Sequence, residues 1–395
     1  MSSPSFEVSL GVSVPPSVAP DFLGKLPYVS EALTSWAFTS DSRDRLRFTL
    51  APERAGDAAR VEEHIRQIAQ KMCHNFREFQ PRVLAQRAAR PDVSREDPHP
   101  ALEAGGELWR YGKGRYGFGP RLCALIGFFD AACVRLAERF GAQRYQFPSL
   151  IGADTLERCR YLKSFPHSLN LVSHLREDFS SIQAFASDAR FEGRGLTCDP
   201  AGLAPPECLL SPSVCFHWYA WLAGQRLEAP RVGTALGKCF RYESSNLSGL
   251  ERLWDFSMRE IIFVGPKEWV LAQRQQAVEW TTPLLDEWGL GFEVASAMDP
   301  FFVDDFAVQT SFQLAFDLKF EIRADLPYKP GTLAAGSFNH HQDFFGKAFD
   351  VSDARGQPVH TGCVAFGLER LALAFLAQHG VDPARWPAAV RREIG

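Results

Sequence analysis

The stretch FRYESSNLSGLERLWDFSMREIIFVG, residues 240–265, decides the fold. It contains parts of two strand-like segments, 238–244 and 255–264, joined by SSNLSGLERLW. That connection is too short for a helical crossover, so the two strands are expected to pair antiparallel, which argues against a doubly wound nucleotide fold. Alternation along a strand places Arg241 and Glu243 on one face of the first strand and Phe256, Met258 and Glu260 on one face of the second. These faces can line one pocket. An arginine presents a fixed fork of donors to phosphate oxygens, a carboxylate accepts from an exocyclic amine, and an aromatic ring offers a purine a flat surface. The set suits a nucleoside triphosphate, with Arg252 in the connection and Arg370 in the first turn of the last long helix meeting the outer phosphates. Taken alone, the same charges also fit a solvated, ion-paired hairpin surface.

Around this stretch the composition is that of an ordinary globular protein. Of 395 residues, 46% are apolar and 23% charged, and the net charge of −4 gives no general attraction to phosphate backbones or anionic membranes. No apolar run approaches 18 residues and the N-terminus lacks the basic-then-apolar order of a signal peptide, so a cytoplasmic protein is expected. The nine cysteines are scattered and form no CxxC pair, which supports neither a disulfide framework nor a zinc finger; a metal site would need ligands far apart in sequence.

Short strands at 6–14 and 46–50, with Val61, Ile65, Ile68 and Met72 at helical spacing within 61–76, predict a small N-terminal α+β unit over 1–89. Residues 90–107 have linker composition, and 108–395 form the main unit. YGKGRYGFGP (111–120) matches GxGxxG formally, but no apolar strand precedes it and a glycine loop is the better reading. An apolar helix over 121–141 is followed by a short strand running into Pro148. Residues 314–324 are expected to form a strand burying Phe316, Leu318, Phe320 and Ile322, with Asp317, Lys319 and Glu321 on its polar face.

Helix–strand–Pro148, then FRYE…RLWDF, then GCVAFGLER ending at Arg370 together resemble the three motifs of the class II aminoacyl-tRNA synthetase superfamily, in order, over about residues 106–378. The resemblance implies an α+β fold with an antiparallel sheet flanked by helices, a homodimer formed through the first motif, and amino-acid adenylate formation from ATP. Arg241 would then grip the α-phosphate, Glu243 the adenine amine, Phe256 the adenine face, and Arg252 and Arg370 the outer phosphates.

The branch that fits best is seryl-like, with one departure. Where those enzymes carry Thr-x-Glu this chain reads Ser213-Val214-Cys215. In that respect it resembles the zinc-containing atypical seryl-tRNA synthetases and, more closely, the amino acid:[carrier protein] ligases. The resemblance implies a Zn2+ held by Cys215, Glu260 and Cys363, which lie 45 and 103 residues apart along the chain. Two thiolates and a carboxylate leave a tetrahedral zinc one open position, suited to the substrate's α-amine. His340-His341 is a rival ligand pair, but adjacent strand residues face opposite ways, so it is read as polar groups of a loop or sheet. Mg2+ is expected without assigned ligands; no acid stands in TLAAGSFN (332–339), Asp317 and Glu321 are substitutes, and Ser337 and Asn339 can add oxygens or contact substrate.

The N-terminal unit is short, and its mixed charges form no basic stripe for a folded RNA. The expected acceptor is therefore the phosphopantetheine thiol of a small acidic carrier protein and not tRNA, and the expected substrate a small amino acid, glycine or alanine. Zinc-dependent seryl-type tRNA charging and a non-catalytic synthetase paralogue are the alternatives.

Overall fold

A computed structural model describes residues 3–394 other than 75, 77, 79, 194 and 303–305. It opens with a three-stranded antiparallel sheet of β1 (Ser5–Ser9), β2 (Leu33–Phe38) and β3 (Arg45–Leu50), in the order β1-β3-β2. Helix α1 (Ala19–Lys25) lies between β1 and β2, and α2 (Ala58–Cys73) packs Val61, Ile65, Ala69 and Met72 against Val8, Leu46 and Phe48. The helix ends at Cys73, before the expected limit of 76; residue 75 lies outside the described residues. Strand β2 escapes the sequence reading because its apolar Trp36 and Phe38 pack only partly into this core.

Strand β4 (Val83–Arg87), although it falls within 1–89, adds to the edge of the large sheet. Residues 90–107 are not wholly irregular either. They hold α3 (Pro98–Ala104), whose first turn is capped by the Asp97 carboxylate accepting from the His99 amide at 3.0 Å. A seven-residue helix burying only Pro98 and Leu102 is too short to register as a periodic pattern.

The large sheet has eight strands. In chain order they are β4, β5 (Gln143–Tyr145), β6 (Arg231–Phe240), β7 (Asp255–Gly265), β8 (Phe292–Ser296), β9 (Lys319–Asp325), β10 (Thr332–His340) and β11 (His360–Gly367). Their order in space is β4-β8-β9-β10-β11-β7-β6-β5, antiparallel throughout except for the β5–β6 pair. One face is covered by α4 (Pro120–Arg139), α6 (Lys267–Glu287) and α7 (Leu368–His379); α5 (Cys215–Trp221) lies on the other. Phe129, Leu285, Phe375 and Leu371 meet Ile261, Phe263, Phe338, Val364 and Ile322 in a continuous core. Gly119 has no side chain to cap α4, and the Glu107 carboxylate supplies the missing acceptor, taking the amides of Arg121 and Leu122 at 2.9 and 3.1 Å. The segment 111–120, read as a glycine loop without a preceding strand, instead belongs to a hairpin of two short strands, Leu108–Gly112 and Arg115–Phe118, which turns at Gly114 with φ +66°.

Two strand boundaries differ from expectation. β6 begins at Arg231 and stops at Phe240, because the Tyr242 amide bonds to the Ser168 carbonyl and peels the chain off the sheet. Face alternation therefore does not govern Arg241 and Glu243. The 314–324 strand begins only at Lys319: residues 306–315 are helical, Asp317 sits in a turn at φ +49°, and Phe316 is 58% exposed.

Candidate active site

The face of the large sheet opposite α4, α6 and α7 carries two rows of side chains set by strand register. Across β7, β11, β10 and β9, one row runs Glu260, Ala365, Ser337 and Glu321, and the neighbouring row runs Ile262, Cys363, Asn339 and Lys319. Residues directly opposite on paired strands share a face, so Glu260 and Cys363 are diagonal neighbours. Cys215, the first residue of α5, reaches the same point from above.

The ligand atoms of Cys215, Glu260 and Cys363 lie within 4.8 Å of one another, and all three residues are buried. Glu260 Oε1 accepts from Ser213 Oγ at 3.0 Å and from the Val214 amide at 3.1 Å. Its buried Oε2 has no hydrogen-bond partner among the described residues. Burial first, then the proximity of Cys363, pushes this carboxyl up to about 8. Burial raises Cys215, while the bond from Cys215 and donors on His341 and Asn339 favour the thiolate at Cys363. Three potential anions in one buried cluster, one with an orphaned oxygen, oppose each other unless protons or a cation intervene. Two thiols and a carboxylate are a donor set able to hold zinc.

Residues 212–215 join this cluster to a second one. The Pro212 carbonyl accepts from Arg241 Nε and Nη2 at 3.1 and 3.0 Å. The Arg241 guanidinium lies 5.4 Å from the Phe256 ring centre. Glu243 pairs with Arg252. Burial alone would raise the Glu243 carboxyl, but the guanidiniums of Arg252, Arg370 and Arg241 outweigh it and hold it below its ordinary value. Arg370 leaves the first turn of α7, donating to the carbonyls of Glu251 at 2.7 Å and Ala334 at 3.1 Å. Three guanidiniums, a carboxylate and an aromatic face therefore converge beside the Cys–Glu–Cys cluster, a combination that a solvated hairpin surface has no reason to form.

Ser337 and Asn339 border the cluster: Asn339 Nδ2 donates to Ser337 Oγ at 2.9 Å and to Cys363 Sγ at 3.4 Å. Of the two acidic substitutes for magnesium, Glu321 shares the site face and pairs with Lys319 at 2.9 Å. Asp317 is turned away into an ion pair with Arg82 at 2.6 Å, because its turn precedes the strand that was to carry it. The two histidines do part company as adjacent residues should. His340 is buried against His360 at 3.0 Å, but His341 Nε2 lies 3.9 Å from Cys363 Sγ, with Nδ1 near Thr361 Oγ1 and Tyr219 Oη. His341 is thus a neighbour of the cluster that the sequence reading left among loop or sheet polar groups; its position just past the end of β10 gave no signal of which way it would turn. Glu369 is another: the residue before Arg370, it is buried and accepts the Ser257 amide at 2.9 Å, fixing β7 to the start of α7.

No family model matches the chain. Over 253 residues it is 38% identical to amino acid–[acyl-carrier-protein] ligase 2 of Bradyrhizobium diazoefficiens, covering 63% of this chain and 74% of that one. Over 268 residues it is 35% identical to ligase 1 of the same organism, covering 67% and 80%. Among solved structures, the M. kandleri seryl-tRNA synthetase in complex with A. aeolicus tRNASec superposes with a TM-score of 0.72 at 22% identity, covering 93% of this chain and 74% of that chain.

Proposed function

This chain belongs to the amino acid–[acyl-carrier-protein] ligases, on a class II synthetase-like fold, and from that premise we propose how its residues divide the work of activating an amino acid with ATP and passing it to a carrier protein. The single observation that carries the proposal is the meeting of Cys215, Glu260 and Cys363 beside the Arg241, Glu243, Arg252, Phe256 and Arg370 group.

Phe256 gives the adenine ring its flat contact and Glu243 accepts from the exocyclic amine. Arg241 binds the α-phosphate, and Arg252 and Arg370 bind the outer phosphates. The amino-acid carboxylate attacks the α-phosphorus, pyrophosphate leaves, and Arg241 stabilises the charge that develops on the phosphoryl oxygens. The carrier's phosphopantetheine thiol then attacks the aminoacyl carbonyl, forming a thioester and releasing AMP. Cys215, Glu260 and Cys363 would hold Zn2+, which would supply a Lewis acid for the substrate's α-amine. Asn339 and Ser337 contact the substrate from the sheet and orient Cys363. Were Mg2+ bound, Glu321, on the site face, would be the acid that β9 offers it.

The proposal extends to a small amino acid, glycine or alanine, a reading that rests on the bulk of Trp254 and Phe256 in the neighbouring sequence. It also extends to a homodimer formed through α4, β5 and the Pro148 segment, to a cytoplasmic location, and to a small N-terminal unit followed by a catalytic one, with the boundary before β4 and not at 89 because β4 pairs with the large sheet. Among the described residues no helix is long and apolar enough to cross a membrane. Carrier protein is preferred over tRNA because the first 89 residues carry mixed charge without a basic stripe.

Amino-acid-dependent ATP–pyrophosphate exchange over all twenty amino acids, followed by transfer to holo-carrier protein or bulk tRNA offered in parallel, tests the reading. Exchange with a small amino acid and thioester on the carrier are expected. Charged tRNA without thioester would overturn the carrier assignment, and absence of exchange would overturn the enzyme.

A further inference from the structure

The segment from α1 to Tyr28 reaches out of the N-terminal unit onto the loops of the nucleotide site. Lys25, 3% exposed, donates from Nζ to the Pro300 carbonyl at 2.7 Å and lies 6.0 Å from the Phe302 ring centre. Tyr28 Oη donates to the Tyr242 carbonyl at 3.4 Å, and its ring meets His167 edge-on at 4.9 Å. His167 in turn stacks on Phe302 at 5.2 Å. From the opposite side, Asn246 Nδ2 donates to the Gly24 carbonyl at 2.9 Å.

These contacts have a common consequence. Tyr242 and Asn246 belong to the 241–254 connection that bears Glu243 and Arg252, which holds one short turn at Ser244–Asn246 and an antiparallel Ser248–Arg252 bridge. Pro300 and Phe302 follow Asp299, which holds Lys319 on the sheet at 2.6 Å. Ten residues of the N-terminal unit thus fasten three loops, 165–168, 241–254 and 297–302, around the nucleotide group. The charges agree with this placement: burial brings Lys25 down to about 8, while Asp21 and Glu243 favour its charged form.

We propose that the Ala19–Tyr28 segment is an intramolecular brace of the nucleotide site, in which Lys25, Tyr28 and Asn246 are positioning residues that hold the 241–254 connection ready for ATP. The connection's own bonds, Arg241 to Trp254 and Ser248 to Arg252, hold its shape, whereas Tyr28 and the Gly24 carbonyl help fix where its 242–246 part sits, and ordering that part on binding would weaken ATP affinity. The brace lifts that cost from the ATP step alone, because neither Lys25, Tyr28 nor Asn246 hydrogen-bonds to Cys215, Glu260 or Cys363. The inference rests on the ATP reading above.

The test uses the full chain with Asn246→Ala and Tyr28→Phe, each removing one bond while leaving Glu243 and Arg252 intact. ATP and amino acid are titrated separately in the exchange assay. Losing one such bond is expected to raise KM for ATP about three- to tenfold in Asn246→Ala and less in Tyr28→Phe, with kcat and KM for the amino acid within about twofold. In the wild type, amide exchange over residues 19–28 is expected to slow with a non-hydrolysable ATP analogue and not with the amino acid alone. Unchanged KM for ATP in variants with wild-type circular dichroism and unfolding midpoint, or equal loss in kcat and both KM values, would overturn the brace. Calorimetry on the wild type separates the two failures. No ATP binding there would sink the functional reading and this inference together, whereas normal ATP binding with indifferent variants would sink the brace alone.

Discussion

Glu260→Gln distinguishes a metal site from a merely buried acid. Glu260 is 1% exposed, with Oε1 held by Ser213 and Val214 and Oε2 unpartnered. Glutamine has the same shape and keeps an acceptor for both donors, but it carries no charge to offer a cation. In chelator-treated wild type, burial and Cys363 lift the carboxyl from 4.5 to about 8. An unfolded chain gives up that proton near 4.5, whereas the folded protein keeps it until about 8. Stability is therefore fully present below 4.5 and declines as pH rises through the interval, by about 1.4 kcal/mol per pH unit and by up to about 3 kcal/mol at pH 7. The glutamine variant lacks this slope, so in chelator at pH 7 it should be the more stable protein by up to that amount. Restoring zinc should reverse the order. Wild type gains about 4 kcal/mol at a thousandfold excess over Kd, and the variant gains little. The assay is urea unfolding at pH 5.5 and 7.5 with chelator or with zinc, alongside elemental analysis of zinc per chain. Stoichiometric zinc in the variant, or identical pH slopes in chelator, would refute the reasoning.

Cys215→Ala should lose bound zinc and at least about a hundredfold of amino-acid-dependent exchange while still binding ATP by calorimetry; normal exchange in the zinc-free variant would remove the amine-docking role. Phe256→Ala, which deletes the ring beside Arg241, should raise KM for ATP by about tenfold with little effect on zinc content, and an unaltered KM would take Phe256 out of the nucleotide site. The Arg259 guanidinium is 7% exposed and bonded to both Asp130 oxygens at 2.7 and 2.9 Å. Asp130→Ala strands that charge and should cost about 2–4 kcal/mol in urea unfolding; a loss below about 1 kcal/mol would mean that solvent reaching Asp130 already screens the pair.

How far the sequence could be read depended on whether a residue's neighbours were local. The antiparallel pairing across the 241–254 connection, the turn at Gly114 and the passage from β11 into α7 follow from short connections, glycine and periodic apolar residues and were legible, whereas the start of β6 at Arg231 was not. The 90–107 segment was not, since α3 is held by one cap and two buried residues. The strand expected at 314–324 began late because Phe316 alternates correctly for a strand yet belongs to the end of a helix and the turn after it.

By itself the sequence determined which side chains were available: arginines, acids, an aromatic and two cysteines at spacings that resemble a known set of motifs. The tertiary structure decided which of them meet. Glu260 and Cys363 are neighbours because β7 and β11 pair in a register fixed by packing beneath the sheet, and Cys215 joins them because α5 begins above that point. The same holds for His341 beside Cys363 and for Lys25 and Tyr28 on the nucleotide loops. Contacts across tens to hundreds of residues are set by the burial of whole faces, a property that no short stretch of chain contains.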